Sequence, residues 1–160
     1  MRKANYDKFP STKLTGMLVQ GWDSIISMLK KKMDARKVLA VDLYTGVYEE
    51  EVLGAFSKEF SGRVMNVRDL MKPEKEIQAL TERFMTEDVL FGYVTNLKLE
   101  DYLDVDKVAA ARKQISEAKE TIVIIGTGAA AVAPQDAMVV YADMARWEIQ
   151  QRFRRHEVKA

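Results

Sequence analysis

The sequence predicts an α/β domain of three layers with a mainly parallel sheet, and three observations carry that prediction. Apolar runs such as Ile122-Val123-Ile124-Ile125 and Val38-Leu39-Ala40-Val41 are hydrophobic on both faces, as strands covered on both sides of a parallel sheet must be. Between such runs lie stretches with helical apolar spacing, and strands alternating with helices of this length imply parallel crossovers. A chain of 160 residues has the length of one domain and is long enough to bury a sizeable core.

Composition narrows the function classes. A formal net charge of +1 gives no basic field for nucleic acid and no charge run for a membrane surface. Lys30-Lys31-Lys32 and Arg154-Arg155 fall on helical patterns and read as solvated faces. With no cysteine and one histidine, His156, the chain offers neither a disulfide framework nor the ligands of a zinc centre. No apolar run approaches the roughly 20 residues a membrane span needs, and Met1-Arg2-Lys3-Ala4 is not followed by a signal core. The expected location is cytoplasmic.

Residues 1–13 read as an extended polar arm whose Tyr6 and Phe9 pack on the body. From Trp22 a stripe of Ile25, Ile26, Met28 and Leu29 predicts a helix, with Lys30 to Lys32 complementing its carboxyl-terminal dipole. Val38 to Leu43 is a strand ending in an acid, followed by the turn Tyr44-Thr45-Gly46-Val47. A helix starts near Tyr48, with Glu49, Glu50 and Glu51 in its first turn and Val52, Leu53, Phe56 and Phe60 as its inner face. Arg63-Val64-Met65-Asn66-Val67 is the next strand, and Arg68-Asp69 closes it. Pro73 precedes a helix over 74–85. Val89-Leu90-Phe91-Gly92-Tyr93-Val94 is strand-like, whereas 99–103 fits no single period. Asp104 or Asp106 caps a helix carrying Val105, Val108, Ala109, Ile115 and Ala118. The strand at Ile122 then leads through Gly126-Thr127-Gly128 and an Ala-rich turn to a last strand, Met138-Val139-Val140-Tyr141, and a helix from Met144 to Arg155. That helix meets no Gly or Pro stop, so the 160 residues are expected to be one α/β domain and a segment of a longer protein.

In open α/β sheets ligands bind outside the carboxyl ends of the strands, which makes Asp42, Arg68, Asp69, Gly126, Thr127, Gly128, Asp143 and Arg146 the candidate ligand-binding residues. Arg68 and Arg146 would hold an anion such as a sugar phosphate, Asp42, Asp69 and Asp143 would take hydroxyls, and the glycine turn would add free backbone N–H groups. The alternative is that these charges pair with one another at the rim of the sheet. Gly126-Thr127-Gly128-Ala129-Ala130-Ala131 matches G-x-G-x-x-A, and Asp143 ends the next strand as a ribose-binding acid would. Against dinucleotide binding, Pro134 leaves about two turns for a crossover that usually takes a dozen residues or more, so a tight turn between buried strands is the simpler reading. The turn after Val38 to Leu43 stands where a phosphate loop would, without its second glycine or its Lys-Ser/Thr pair. Glu49 to Glu51 would repel the anion besides. Trp147, Ile149 and Phe153, with Met144, form a stripe that reads as core or, flanked by Arg146, Gln150, Arg152 and Arg154, as a face for another domain.

Four segments together resemble the amino-terminal portion of bacterial class I mannose-6-phosphate isomerases: Asn5-Tyr6-Asp7-Lys8-Phe9-Pro10, Gly21-Trp22-Asp23, Val41-Asp42-Leu43-Tyr44-Thr45-Gly46-Val47-Tyr48 and Tyr141-Ala142-Asp143-Met144-Ala145-Arg146-Trp147-Glu148-Ile149-Gln150. The resemblance implies that a carboxy-terminal cupin domain carries the zinc and interconverts mannose 6-phosphate and fructose 6-phosphate. No zinc ligand of that family has a counterpart in these residues, so this segment would be an accessory domain without catalytic residues or cofactor, and the catalytic domain its partner. The strand-loop-helix order also resembles a degenerate P-loop or Rossmann-like fold of the uridine kinase type with an eroded phosphate loop. Three functions therefore compete: an accessory or ligand-sensing domain of a sugar-phosphate isomerase, a kinase-like phosphotransferase acting on a sugar or nucleoside, and an assembly module working through the terminal helix.

Overall fold

A computed structural model of the chain describes residues 10–13, 15–33, 37–88 and 91–158. Four strands form one sheet, β1 (Val38–Leu43), β2 (Arg63–Asn66), β3 (Ile122–Gly126) and β4 (Met138–Ala142), in the order β2-β3-β1-β4 with every neighbour parallel. The expected α/β class with a parallel sheet is what the chain adopts.

Alternate residues of the central strands feed two separate cores, which is the period-two consequence of a pleated strand covered on both sides. On one face Val38, Ala40, Ile122 and Ile124 pack under Val108, Ala111 and Ile115 of α4 (Val105–Glu117) and under Ala129 and Val132 of α5 (Ala129–Val132). On the other, Leu39, Val41, Leu43, Val123 and Ile125 meet Ile26, Leu29 and Met33 of α1 (Trp22–Met33) and Val52 and Phe56 of α2 (Glu49–Glu59). Trp22, Phe56 and Phe60 stack in series across that second core, the Phe pair at 5.6 Å and the Trp–Phe pair edge-on at 6.2 Å. Asp104 caps α4, its carboxylate accepting from the backbone N–H of Asp106 and of Lys107 at 3.0 Å, which settles the choice left open between Asp104 and Asp106.

Several expectations are corrected. Of the strand-like run 89–94, Val89 and Leu90 lie outside the described residues, and 91–94 is not a strand: Phe91, Tyr93 and Val94 are exposed and pair with none of the sheet strands. Tyr93 instead donates its N–H to the Phe84 carbonyl, so local turn bonds replace a ladder. Val67, taken as the end of β2, opens a 3-10 turn (Val67–Leu70) and is fully buried beneath β3. The helix over 74–85 divides into α3 (Glu74–Thr81) and a 3-10 turn (Glu82–Phe84) with no buried residue in either. The ambiguous stretch at 99–103 is a 3-10 turn (Leu99–Tyr102) leading to an isolated antiparallel bridge between Met71 and Leu103. The last helix, α6 (Arg146–Arg154), begins later than Met144. Tyr6 and Phe9 lie outside the described residues, and residues 10–13 are exposed without regular structure. Among the described residues no helix is long and apolar enough to cross a membrane.

Candidate functional site

β1 and β3 are neighbours, yet α2 leaves β1 on one face and α5 leaves β3 on the other. Chains that part in this way open a crevice at the carboxyl ends of the two strands, the place where α/β sheets hold ligands. Here that point is tied shut by the chain's own groups. Asp42, the last but one residue of β1, accepts from the Gly128 N–H at 3.0 Å with one carboxylate oxygen and from the Ala130 N–H at 2.9 Å with the other. Thr127 donates its hydroxyl to the Leu43 carbonyl at 3.0 Å. The glycine turn has the backbone its sequence suggests, with φ of +136° at Gly126 and +88° at Gly128. The Gly128 amide of the turn and the Ala130 amide beyond it are not free for an anion, however, because an internal carboxylate already holds both.

Outside this tie lies an open crevice of about 610 Å³, lined among others by Tyr44, Thr45, Tyr48, Glu49, Arg68 and Thr127. Glu49 in the first turn of α2 has both oxygens engaged: one accepts from the Asn66 amide, the other from Arg68 Nη2, each at 2.8 Å. Arg68 is therefore neutralised by Glu49 across the crevice and does not pair with Asp69. Both side chains face solvent in part, so the ion pair itself contributes at most about 1 kcal/mol.

The outer wall is built by the end of the chain. Gly46, with φ of +92°, brings the β1–α2 turn so close to α6 that a Cβ there would lie 3.1 Å from Ile149. Arg152 donates Nη1 to the Gly46 carbonyl at 2.7 Å while its guanidinium lies 3.6 Å above the Tyr48 ring. Tyr48 donates its hydroxyl to Glu157 at 2.6 Å, and Arg155 bridges Glu157 to Glu148. Arg155, and then Tyr48, hold the Glu157 carboxyl down from the ordinary 4.5 to about 2, and in return Glu157 raises the Tyr48 phenol. Hydrogen bonds from Arg155 and Arg152 lower Glu148 as well. A depressed carboxyl contributes its contact fully above pH 4.5 and loses it as the pH falls toward 2. Carbon-detected NMR titration of Glu157 is accordingly expected to give a midpoint near 2, and Arg155→Ala to return it toward 4.5. An unchanged midpoint in the variant would mean that Arg155 does not hold the carboxylate.

The remaining candidates do not converge on the crevice. Asp69 lies beside a shallow groove along β2 with Arg63 and Lys107. Asp143 accepts the N–H of its own neighbour Met144 at 2.7 Å, and Arg146 at the start of α6 has no hydrogen-bond or ion-pair partner among the described residues. Of the eight candidates, Asp42, Gly126, Thr127 and Gly128 meet at the switch point and Arg68 stands at its rim. Tyr48, Arg152 and Glu157 were missed, since no local pattern tells that residues 109 positions apart touch. The terminal stripe divides too: Ile149 and Phe153 are half-buried and Trp147 is exposed. A second crevice of about 590 Å³ lies at the amino end of the sheet, where Arg112 donates to the carbonyls of Ala131 and Val132. Among the described residues no three His, Cys, Asp or Glu side chains are grouped as metal ligands.

These features define a mixed α/β protein with a small, all-parallel four-stranded sheet. The chain belongs to a family of domains of unknown function, DUF8485, whose family model matches residues 21–160. No curated protein and no solved structure matches it.

Proposed function

We propose that this chain is a non-catalytic accessory domain on a degenerate P-loop or Rossmann-like plan, attached to a sugar-phosphate isomerase of the mannose 6-phosphate type. The observation that carries the reading is the Asp42 carboxylate bound to the Gly128 and Ala130 amides. In this topology those amides would otherwise face the phosphate of a ligand, and a fixed negative charge in their place repels one. The β1–α2 turn adds support, since Tyr44-Thr45-Gly46-Val47 supplies no lysine and is followed by Glu49 and Glu50 on the same crevice. Arg68, which lines the crevice, is already matched by Glu49. The identity of the attached enzyme rests on the resemblance of Val41 to Tyr48 and Tyr141 to Gln150 described above, and the partner of the domain is then the catalytic domain itself.

Calorimetric titration of the chain with magnesium-ATP and with mannose 6-phosphate is expected to give no binding at millimolar ligand. Micromolar affinity for magnesium-ATP would sink this reading and promote a phosphotransferase acting on a sugar or nucleoside.

A further inference from the structure

We propose that β4 is a self-complementary edge through which two copies of this chain join their sheets, antiparallel, about a two-fold axis at Val140. β4 has β1 on one side and no strand on the other, so one row of its backbone N–H and C=O groups is unpaired among the described residues. Natural sheets guard such edges with charge, proline, a bulge or shortness. The opposite edge follows that rule: β2 has four residues, starts at Arg63 and runs into a 3-10 turn. β4 carries none of these guards over Met138-Val139-Val140-Tyr141-Ala142. The crossover before it is also too short to cover it. With α5 only four residues long, Val139 and Tyr141 on that face stay 54% and 57% exposed, while Met138, Val140 and Ala142 pack on the other core.

The identity of the occupant comes from the register. An antiparallel pair centred on Val140 sets Val139 of each copy opposite Tyr141 of the other, twice, and these β-branched–aromatic pairs are among the favourable cross-strand combinations. Asp136 and Asp143 fall outside the five paired residues. The same face continues into Tyr44, edge-on to Tyr141 at 6.2 Å, so each copy offers an aromatic floor beside the new pairs. A partner chain of different sequence would not gain this reciprocity. An interface of one strand per copy is small, which makes the pairing a weak, transient one.

Sedimentation equilibrium of the chain, which lacks cysteine, is expected to show a monomer–dimer equilibrium at tens of micromolar. Val139→Lys with Tyr141→Lys should weaken it about tenfold or more by setting like charges near one another across the axis. Because directly opposed antiparallel residues lie about 4.5–5.5 Å apart at Cα, Val140→Cys should cross-link to itself under mild oxidation, whereas Val139→Cys should not. Should the lysine variant fail to fold, the two single thiols still test the register. A chain monomeric at every concentration, a dimer indifferent to the two lysines, or a dimer in which Val140→Cys does not cross-link would each overturn the proposal.

Discussion

Gly126→Ala is expected to lower the stability of the domain by about 3–5 kcal/mol, combining backbone strain with overpacking. At φ of +136° the residue sits where only glycine rests without strain, and an added Cβ would lie 2.8 Å from Cβ of Val67 and 3.3 Å from its backbone nitrogen. Val67 cannot retreat, because it is fully buried against the sheet and begins the turn that ends β2. For a domain of this size the loss corresponds to a fall of roughly 10 °C or more in the thermal midpoint. Gly54→Ala supplies the contrast: Gly54 lies inside α2, a Cβ there meets nothing within 4 Å, and the change should stabilise by about 0.5–1 kcal/mol. Truncating the obstacle separates strain from collision. Adding Val67→Gly, which removes the Cβ that the new methyl would strike at 2.8 Å, to Gly126→Ala should cost less than the two single losses summed, whereas strict additivity would show that the collision with the Val67 Cβ is not the cause. A midpoint within about 2 °C of the parent for Gly126→Ala would refute the close approach altogether.

The sheet was legible because its strands are short runs with both faces apolar. Val38–Leu43 begins and ends where its composition changes, and Ile122–Gly126 stops at the glycine that turns the chain. The misread run at 91–94 is largely apolar too, but a strand needs a neighbour, and this run pairs with none of the four sheet strands, its Tyr93 N–H going to the Phe84 carbonyl instead. Val67 misled in the opposite way: it looks like strand because it is apolar, and it is apolar because the turn after β2 tucks it under Gly126. At the site, the end of β1 and the glycine turn could be placed at the same edge by the rule that ligands gather at carboxyl strand ends. What the rule could not supply was pairing. Asp42 and Thr127 looked like groups awaiting a ligand, yet their partners are backbone atoms of the adjoining strand and turn, 84 to 88 residues away. Glu49 read as a dipole-favouring first-turn acid and turned out to hold Asn66 and Arg68 together as well. A single chain of residue letters carries polarity and period, not which polar group another has already satisfied.

The second large effect is expected at Asp42. Its carboxylate is the only acceptor given to the Gly128 and Ala130 amides among the described residues, and it joins β1 to the start of α5 across the switch point. Hydrogen bonds to a charged group contribute about 1.5–3 kcal/mol each, so Asp42→Ala, which removes two and leaves two donors without a partner, should cost about 3–4 kcal/mol. The residue is half-buried, so water reaches the gap in part and the upper end of that range is not expected. Asp42→Asn discriminates further. One side-chain oxygen remains to accept from Gly128 or Ala130, but the amide nitrogen then faces the other N–H, donor against donor, and roughly half of the loss or more should persist. Hydrogen exchange localises the effect: in Asp42→Ala the Gly128 and Ala130 amides should exchange faster than the global stability change alone requires, while those of Ile124 and Ile125 follow the global change. The proposed function is tested by the same variant. If the carboxylate stands where a ligand's phosphate would, its removal should allow inorganic phosphate at millimolar concentration to raise the thermal midpoint of Asp42→Ala and leave the parent unmoved. Equal response of the two proteins to phosphate, together with amides at 128 and 130 still protected, would show that Asp42 neither holds the turn nor keeps an anion from it.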